Sequence, residues 1–515
     1  MICDFKLKKI TLHNTLNTKK TTFICCLFLF ISIVYSTKGI AQKFDFDTKR
    51  VTLYKDLLKL KTNHALPIID SLIEADENGV DIYLRNQIDI IHLLSNDSPL
   101  LFKQLKNNKD HYLKLIAPYP DDSPYKKFIE AEIHLSWAFV KLNFSQETSA
   151  FFDFKQAYKL INKNDDEFHS FLPNKKTLGM IHLIIGNIPS EYRWLTNTLG
   201  FEGNVSQGTS NLEDVANSGS IFKTECRLLM GVVDAFLFRN DLSGINAIEK
   251  LQEEEKDNLL FNFILASLYA KSKWNDKVIE TMLNRPNGVK YATVPAYSFF
   301  IAEAYLNKLM YTEAIEYYLK FLSQYEGNNH VQATYYKLYV AYFLNGDENM
   351  ATKYLRKIDI KSDAVTYPDR YAVAFVKANE FSAPKLMKAR LLTDGGYYEQ
   401  ALSILFSEEK LKTKKDRVEY EYRLARIYHL LGIPSKAITF YKNTIEQSST
   451  KNPWYFAANA CLQLGYIYKE KYPSQASFYF KQVKNYHNHI YKNSLTDKAN
   501  RELKEVEVRL KHERQ

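Results

Sequence analysis

Chain breakers and cysteines are scarce in this sequence. It has 17 glycines, 14 prolines and 5 cysteines among 515 residues. This excludes collagen-like and low-complexity chains, because both depend on glycine and proline. Beyond residue 41 the cysteines are Cys226 and Cys461. One such distant pair supports neither a disulfide framework nor a zinc site. We expect both to be small, buried side chains on helices.

Motifs of common catalytic sites are also lacking. The sequence has no His-Glu-x-x-His, no Gly-x-Ser-x-Gly and no phosphate-binding Gly-Lys-Ser/Thr loop. We therefore expect no enzyme activity, no metal and no cofactor. An enzyme using the glycine-rich stretch 171–220 is the exception to consider, but its glycines are more typical of helix C-caps and tight turns. His487 and His489 are interpreted as ordinary surface histidines.

Aromatic residues are abundant instead. They make up 14% of the chain, and tyrosine alone occurs 36 times. The stretch 296–325 predicts two amphipathic helices with a turn near residues 307–311. Ala302 and Ala314 lie twelve residues apart, where paired helices would approach most closely, and Tyr305 and Tyr318 follow them. This spacing resembles the tetratricopeptide repeat, a helix–turn–helix unit of about 34 residues.

The same spacing recurs through the second half of the chain. Each set has a small residue, a residue three later, a second small residue twelve after the first, and a large residue four beyond it. The sets are Ala266, Tyr269, Val278, Met282; Ala302, Tyr305, Ala314, Tyr318; Tyr339, Tyr342, Ala351, Leu355; Ala389, Leu392, Ala401, Leu405; Ala425, Tyr428, Ala437, Tyr441; and, one residue shorter, Gly465, Tyr468, Ala476, Phe480. The second small residue of each set follows that of the previous set after 36, 37, 50, 36 and 39 residues. The long interval predicts an inserted loop or extra helix at 361–384.

The charge is mild once the N-terminus is set apart. Residues 1–41 carry six lysines and one aspartate, so the formal net charge of +10 leaves 10 − 5 = +5 for the rest. This does not predict nucleic-acid binding. Lys19 and Lys20 precede an apolar run at 23–35 and a small-residue cleavage site ending at Ala41, as in an export signal. We expect a protein exported to the bacterial periplasm or cell envelope. The alternative is an uncleaved anchor that associates the N-terminus with the membrane.

These patterns divide the chain into five parts. They are 1–41, a signal peptide or uncleaved anchor; 42–120, an N-terminal helical region; 121–250, divergent helical repeats with glycine-rich connections; 251–490, the repeat array with its insertion; and 491–515, a C-terminal capping helix. Near the second boundary, Ser123 is predicted to cap a helix that has Pro124 at its first position. The expected fold is all-α, a right-handed superhelical solenoid of tetratricopeptide-like helix–turn–helix repeats.

Two stretches, 174–213 and 454–495, go beyond a generic repeat. They contain Gly200, Phe201, Gly203, Gly208 and Leu212 in the first, and Trp454, Gly465 and Tyr468 in the second. With the helical pair at residues 131–158, they resemble the eukaryotic tetratricopeptide-repeat-39 and inclusion-body-clearance family. The resemblance implies an all-helical repeat protein without catalytic residues that works through protein or lipid contacts. We transfer the fold from it and not the cellular task.

The inner face of the array is the expected working surface. By repeat register, residues three before, one after and four after the first small position face inward. This selects Phe299, Glu303, Tyr336, Phe343, Arg390, Tyr422, Arg426, His429 and Tyr466. Aromatic and arginine side chains are enriched in binding hot spots, so we expect a non-enzymatic scaffold that holds a protein or peptide partner. The alternatives are that some of these tyrosines pack between helices, and that the protein is a membrane-tethered accessory contacting lipid or a small apolar ligand.

Overall fold

The computed structural model describes residues 44–75, 78–188, 201, 203–362, 366–378, 381–408 and 410–512. The expected export signal and Gly200 lie outside these residues. Within them the regular elements are all helices, so the predicted all-α helical-repeat class is confirmed. No helix in this part of the chain is both long enough and apolar enough to cross a membrane.

The first half of the chain begins with short helices and continues with longer pairs. The helices are α1 (Thr48–Leu58), α2 (Thr62–Ala75), α3 (Gly79–Asn96), α4 (Pro99–Leu105), α5 (Asn108–Ile116), α6 (Pro124–Asn143), α7 (Glu147–Glu167), α8 (Pro173–Gly186), α9 (Val205–Ala216), α10 (Lys223–Phe236) and α11 (Asp241–Glu254). The pairs α6 with α7, α8 with α9, and α10 with α11 pack against each other. Helix α6 starts at Pro124 with Ser123 at its N-cap position, as predicted, but in the described part of the chain the Ser123 hydroxyl makes no capping hydrogen bond.

The second half holds the six predicted repeats. Its helices are α12 (Leu259–Lys271), α13 (Asn275–Leu283), α14 (Ala296–Asn307), α15 (Tyr311–Gln324), α16 (Val331–Leu344), α17 (Glu348–Leu355), α18 (Tyr367–Ala378), α19 (Pro384–Gly395), α20 (Tyr398–Leu405), α21 (Lys414–Leu430), α22 (Pro434–Glu446), α23 (Phe456–Tyr468), α24 (Pro473–Gln482) and α25 (Lys492–His512). Helix α18 lies in the predicted insertion and packs on α16.

The small anchor residues sit where paired helices meet. Ala266, Ala302, Ala314, Ala351, Ala389, Ala401, Ala425, Ala437 and Ala476 are at most 2% exposed. A β-carbon on Gly465 would collide with the Phe480 ring. Tyr339, which replaces a small residue, is still buried. The spacing read from the sequence therefore reports real helix contacts. Cys226 and Cys461 are fully buried on α10 and α23, as predicted.

Stacked aromatic rings join the two helices of four repeats. The rings belong to the residues three after the first and three after the second small position. They are Tyr305 with Tyr317, Tyr342 with Tyr354, Tyr428 with Phe440, and Tyr468 with Tyr479, with centroids 5.5 to 5.8 Å apart. Such pairs contribute about 0.5–1.5 kcal/mol beyond their buried area. This recurring stack accounts for part of the tyrosine content.

The glycine-rich stretch is built differently from the prediction. Gly179 and Gly208 lie inside α8 and α9, not at caps or turns. A β-carbon on Gly208 would lie 2.9 Å from the Gly179 carbonyl oxygen. The two glycines therefore let the helices cross in close contact, which the sequence pattern of turns did not anticipate.

The chain also bends back on itself. In a straight solenoid each repeat contacts only its neighbours. Here the Ala292 N–H donates to the Leu60 carbonyl at 2.7 Å, and the Tyr325 hydroxyl donates to Asp97, 228 positions away, at 2.8 Å. Helix α19 packs on α14, although four helices separate them in the sequence. The bend brings distant elements around one cavity.

Candidate functional site

The cavity lies between α16, α18, α19 and α21. Two connecting segments, 453–456 and 489–491, complete its wall. Its volume is about 140 Å³. We call it the Arg390 pocket. Because α18 belongs to the insertion between the third and fourth repeats, one wall of this pocket comes from outside the regular repeats.

Arg390 is the central polar group of the pocket. Its Nη1 donates to the Tyr371 hydroxyl at 2.9 Å, and its guanidinium carbon lies 5.0 Å from the centre of that ring. The Asp394 carboxylate is 3.7 Å from its Nε, beyond hydrogen-bond distance. The side chain is 30% exposed. The guanidinium is thus oriented by Tyr371 and still has N–H groups to offer.

A second arginine is held by a carboxylate on its own helix. Arg423 donates to Glu419, one turn earlier on α21, from Nη2 at 2.6 Å and from Nε at 3.1 Å. The Ser382 hydroxyl donates to the other oxygen of Glu419 at 2.6 Å, and Lys415 donates to Ser382 at 3.2 Å. Burial raises the pKa of Glu419, but the charges of Arg423 and Lys415 and the hydrogen bonds from Ser382 and Arg423 together outweigh it, so this pKa lies below its usual value.

Aromatic rings form the remaining walls. The Tyr336 ring lies 4.8 Å from Phe375 and 5.2 Å from Tyr371, and Tyr455 lies 4.7 Å from Tyr491. Burial raises the pKa of Tyr371, yet the positive charge of Arg390 and the hydrogen bonds that Tyr371 accepts bring it below its ordinary value. The pocket therefore combines apolar surface with positive charge.

His489 belongs to this wall, which corrects its interpretation as a surface histidine. The Tyr491 backbone N–H donates to its Nδ1 at 3.1 Å, so the ring proton sits on Nε2. Nε2 is buried and has no hydrogen-bond partner in the described part of the chain. Burial lowers the pKa of His489 to about 4. The ring is therefore neutral at pH 7, with a donor left unsatisfied. His487 is exposed, as expected.

The nine residues selected by register divide into two groups. Tyr336 and Arg390 line the pocket. The others lie elsewhere: Phe299, Glu303, Phe343, Tyr422, Arg426, His429 and Tyr466 are outside the lining. All nine side chains are buried or half-buried. Partner binding at these positions stays a prediction.

Several of the second group are engaged within the repeats. Glu303 accepts hydrogen bonds from Tyr318 and, at 2.8 Å, from Lys337. His429 Nδ1 lies 3.2 Å from the Tyr441 hydroxyl. Tyr422 is 3% exposed, with its ring centroid 5.3 Å from that of Phe456. Tyr422 thus packs in the core, which was the alternative left open for the tyrosines.

Sequence reasoning missed most of the lining. Tyr371 and Phe375 are spaced by four on α18, and Glu419 and Arg423 are spaced by four on α21. Such pairs share a helix face, so a search for i, i+4 pairs would have found them. His489 and Tyr491 lie outside regular helices, and no local pattern signals their position.

A second polar cluster lies far from the pocket. Lys176 on α8 donates to Glu132 on α6 at 2.7 Å and to Glu225 on α10 at 3.0 Å. The three side chains are 3%, 7% and 3% exposed. The Thr177 hydroxyl donates to Glu132 at 2.5 Å, and the Tyr54 hydroxyl to Glu225 at 3.3 Å. We call this the Lys176 cluster. It ties α1, α6, α8 and α10 together.

Among the described residues, no group of three histidine, cysteine, aspartate or glutamate side chains is placed to hold a metal ion.

Comparisons with known proteins found only low-scoring structural likenesses. No protein-family model and no curated protein matches this sequence. Among solved structures it is similar to the APC/C hetero-tetramer Cut9–Hcn1, at 14% identity over 88% of this chain and 96% of that chain, with a TM-score of 0.22. It is also similar to the TPR domain of P58(IPK), at 16% identity over 79% and 97%, with a TM-score of 0.19.

The tetratricopeptide-like assignment therefore rests on the helix pairs and their buried small anchors. The finer resemblance to the tetratricopeptide-repeat-39 and inclusion-body-clearance family is not confirmed by these comparisons. Phe201, one of its marker residues, is buried against Phe154 and Tyr158 on α7. Gly208 and Leu212 lie on α9 in contact with α8. These residues have structural explanations of their own.

Proposed function

We propose that this protein is a non-enzymatic scaffold of the bacterial cell envelope that holds a partner protein in the Arg390 pocket, on the predicted inner face of the array. The observation that carries the proposal is the pocket itself. Six separate stretches of sequence converge on a cavity that presents an arginine with N–H groups still to offer between aromatic walls. Arginine and tyrosine in a concave site are the side chains most enriched at binding hot spots.

Site-specific photo-crosslinking tests this proposal. Ala378 is exposed at the end of α18 and lines the pocket. A photoreactive residue there should crosslink one or two defined envelope proteins in cells that make this chain. Ala270, which is exposed near the end of α12 and outside the pocket, is the matched control. The proposal fails if Ala378 gives no protein adduct, or the same adducts as Ala270.

The envelope location rests on the N-terminal sequence. An apolar run at 23–35 after Lys19 and Lys20, with small residues before position 42, supports export. Sequencing the N-terminus of the protein purified from cells tests it, and we expect the chain to begin at Gln42. A chain that retains residues 23–35 and sediments with membranes would favour the second candidate, a membrane-tethered accessory that contacts lipid or a small apolar ligand.

A further inference from the structure

We propose that the Arg390 pocket receives an acidic segment of its partner, in which internal glutamate or aspartate side chains flank an aromatic residue. This inference rests on the proposed scaffold function and names the chemistry of the partner. Three features of the pocket support it: the N–H donors of Arg390, the charge of the lining, and the aromatic walls.

The donors of Arg390 come first. A guanidinium has five N–H groups in a planar fork that matches a carboxylate. In the described part of the chain, one of them is hydrogen bonded, to Tyr371. Tyr371 also stacks beside the guanidinium and fixes its plane. The fork is therefore preorganised, and an incoming carboxylate can accept from it without rearranging the wall.

The charge of the lining points the same way. Lys337, Arg390, Lys415 and Arg423 face Asp394 and Glu419, which gives 4 − 2 = +2. Among the described residues, ion pairs with groups outside the lining join Lys337 to Glu303 and Asp394 to Lys273. An excess of two charges spread over several helices fits a segment with more than one carboxylate better than a single terminal carboxylate.

The walls specify the rest of the segment. Tyr336, Tyr371, Phe375, Tyr455 and Tyr491 surround the charged groups. An aromatic side chain stacks favourably on such rings. A pocket with apolar and cationic surface side by side therefore matches an aromatic residue next to an acidic one.

Peptide titration followed by fluorescence anisotropy tests the inference. The probe is a fluorescein-labelled, C-terminally amidated peptide with two glutamates flanking one phenylalanine in a glycine–serine background. We expect the full-length chain to bind it at least about tenfold more tightly than the same peptide with glutamines. We also expect the affinity to fall as salt rises. Equal affinity for the two peptides would overturn the inference.

Variants localise the binding. Arg390→Gln should reduce the affinity for the glutamate peptide to that of the glutamine peptide. Arg227→Gln is the matched control, because Arg227 is also 30% exposed and ion paired but lies on α10, outside the pocket. Arg390→Lys, which keeps the charge and loses the fork, should bind with intermediate affinity, and it serves if the glutamine variant does not fold. Unchanged binding by either Arg390 variant would contradict the assignment.

Two further peptides identify other anions. The first is a glutamine peptide with a free terminal carboxylate. If it binds as well as the glutamate peptide, the pocket recognises a C-terminal carboxylate and not internal acidic side chains. The second is a phosphotyrosine peptide. If it binds more tightly than the glutamate peptide, the anion that the pocket recognises is a phosphate group and not a carboxylate. The scaffold proposal is judged apart from these results: an Ala378 adduct that persists in Arg390→Gln keeps the scaffold and rejects the acidic segment.

Discussion

The Lys176 cluster and the Arg390 pocket are two ways of collecting charge between helices. In the first, one lysine lies between two carboxylates, all three side chains are at most 7% exposed, and hydroxyl groups fill further positions around them. In the second, cations outnumber carboxylates and a cavity remains. Both sites join helices that are distant in sequence.

The difference separates structure from function. Charges removed from water are tolerated when every group finds a partner, as in the Lys176 cluster. In the described part of the chain Arg390 makes one side-chain hydrogen bond, to Tyr371, and its side chain is 30% exposed, so its other N–H groups are available to water or a ligand. We infer that the first site holds the N-terminal half together and that the second is available for binding. Four substitution experiments separate the two roles.

The largest effect is expected for Lys176→Met. It leaves the carboxylates of Glu132 and Glu225 buried without their cation, which costs on the order of 3–5 kcal/mol of unfolding free energy. Urea denaturation measures this loss. Lys175→Met is the control, because Lys175 is 39% exposed and pairs with Asp214 at the surface, so it should cost less than about 1 kcal/mol. Equal losses in the two variants would contradict a structural role for the cluster.

Glu419→Gln should have the next largest effect. The change leaves the guanidinium of Arg423, which is 9% exposed, without its carboxylate. Losing a hydrogen-bonded charge partner at a buried site costs roughly 1.5–3 kcal/mol. Glu421→Gln on the same helix is the control, since Glu421 is half-buried and accepts one bond from Asn443. A Glu419→Gln variant as stable as Glu421→Gln would show that Arg423 finds another partner.

The pH dependence of stability should come next. Burial raises the pKa of Glu225 to about 7 in the folded protein. Its unfolded value is about 4.3, so the folded state holds this proton more tightly between the two values. This contribution therefore stabilises the fold below about pH 4.3 and is lost as the pH rises through about 7.

The size of this effect is up to about 1.4 kcal/mol per pH unit for one proton. Glu225→Gln removes the titrating group and keeps its shape. We therefore expect the difference in urea midpoint between wild type and Glu225→Gln to change between pH 5 and 7.5, with wild type losing stability relative to the variant as the pH rises. A constant difference across this range would show that Glu225 does not titrate there.

The smallest effect on stability is expected for Arg390→Gln. Among the described residues its ion-pair partner, Asp394, is 3.7 Å away and its side-chain hydrogen bond is to a tyrosine, so the variant should lose about 1 kcal/mol or less. Thermal unfolding beside Arg227→Gln measures it. A loss as large as that of Lys176→Met would make Arg390 a structural residue and remove the contrast between the two sites.

Sequence alone predicts the repeat framework well, because small anchors recur at a fixed spacing and each one marks a close helix contact. Ala302 and Ala314 are both fully buried, as the spacing requires. The prediction works because the contact is local, between helices adjacent in the chain. The close contact between Gly179 and Gly208 was not predicted, because these residues are 29 positions apart and do not follow the spacing of the small residues in the repeats.

The site was predictable only in part. Tyr336 and Arg390 were found because they follow the register of their own repeats. Tyr371 was not, because α18 belongs to no repeat and the rule assigns it no face. His489 reaches the pocket because the segment around Tyr491 packs on α18, with the Tyr491 ring 4.8 Å from that of Tyr367, and long-range contacts of this kind leave no periodic trace in a sequence.

The most direct test of the central claim is crosslinking from Ala378 in two backgrounds, Arg390→Gln and Arg227→Gln, with the crosslinked partner peptide sequenced. The account predicts an adduct with one defined envelope protein, at a segment containing acidic and aromatic residues. It also predicts that the adduct is retained in Arg227→Gln and lost in Arg390→Gln while both variants remain folded. The same adduct at equal yield in both variants would contradict the assignment of the Arg390 pocket as the partner site.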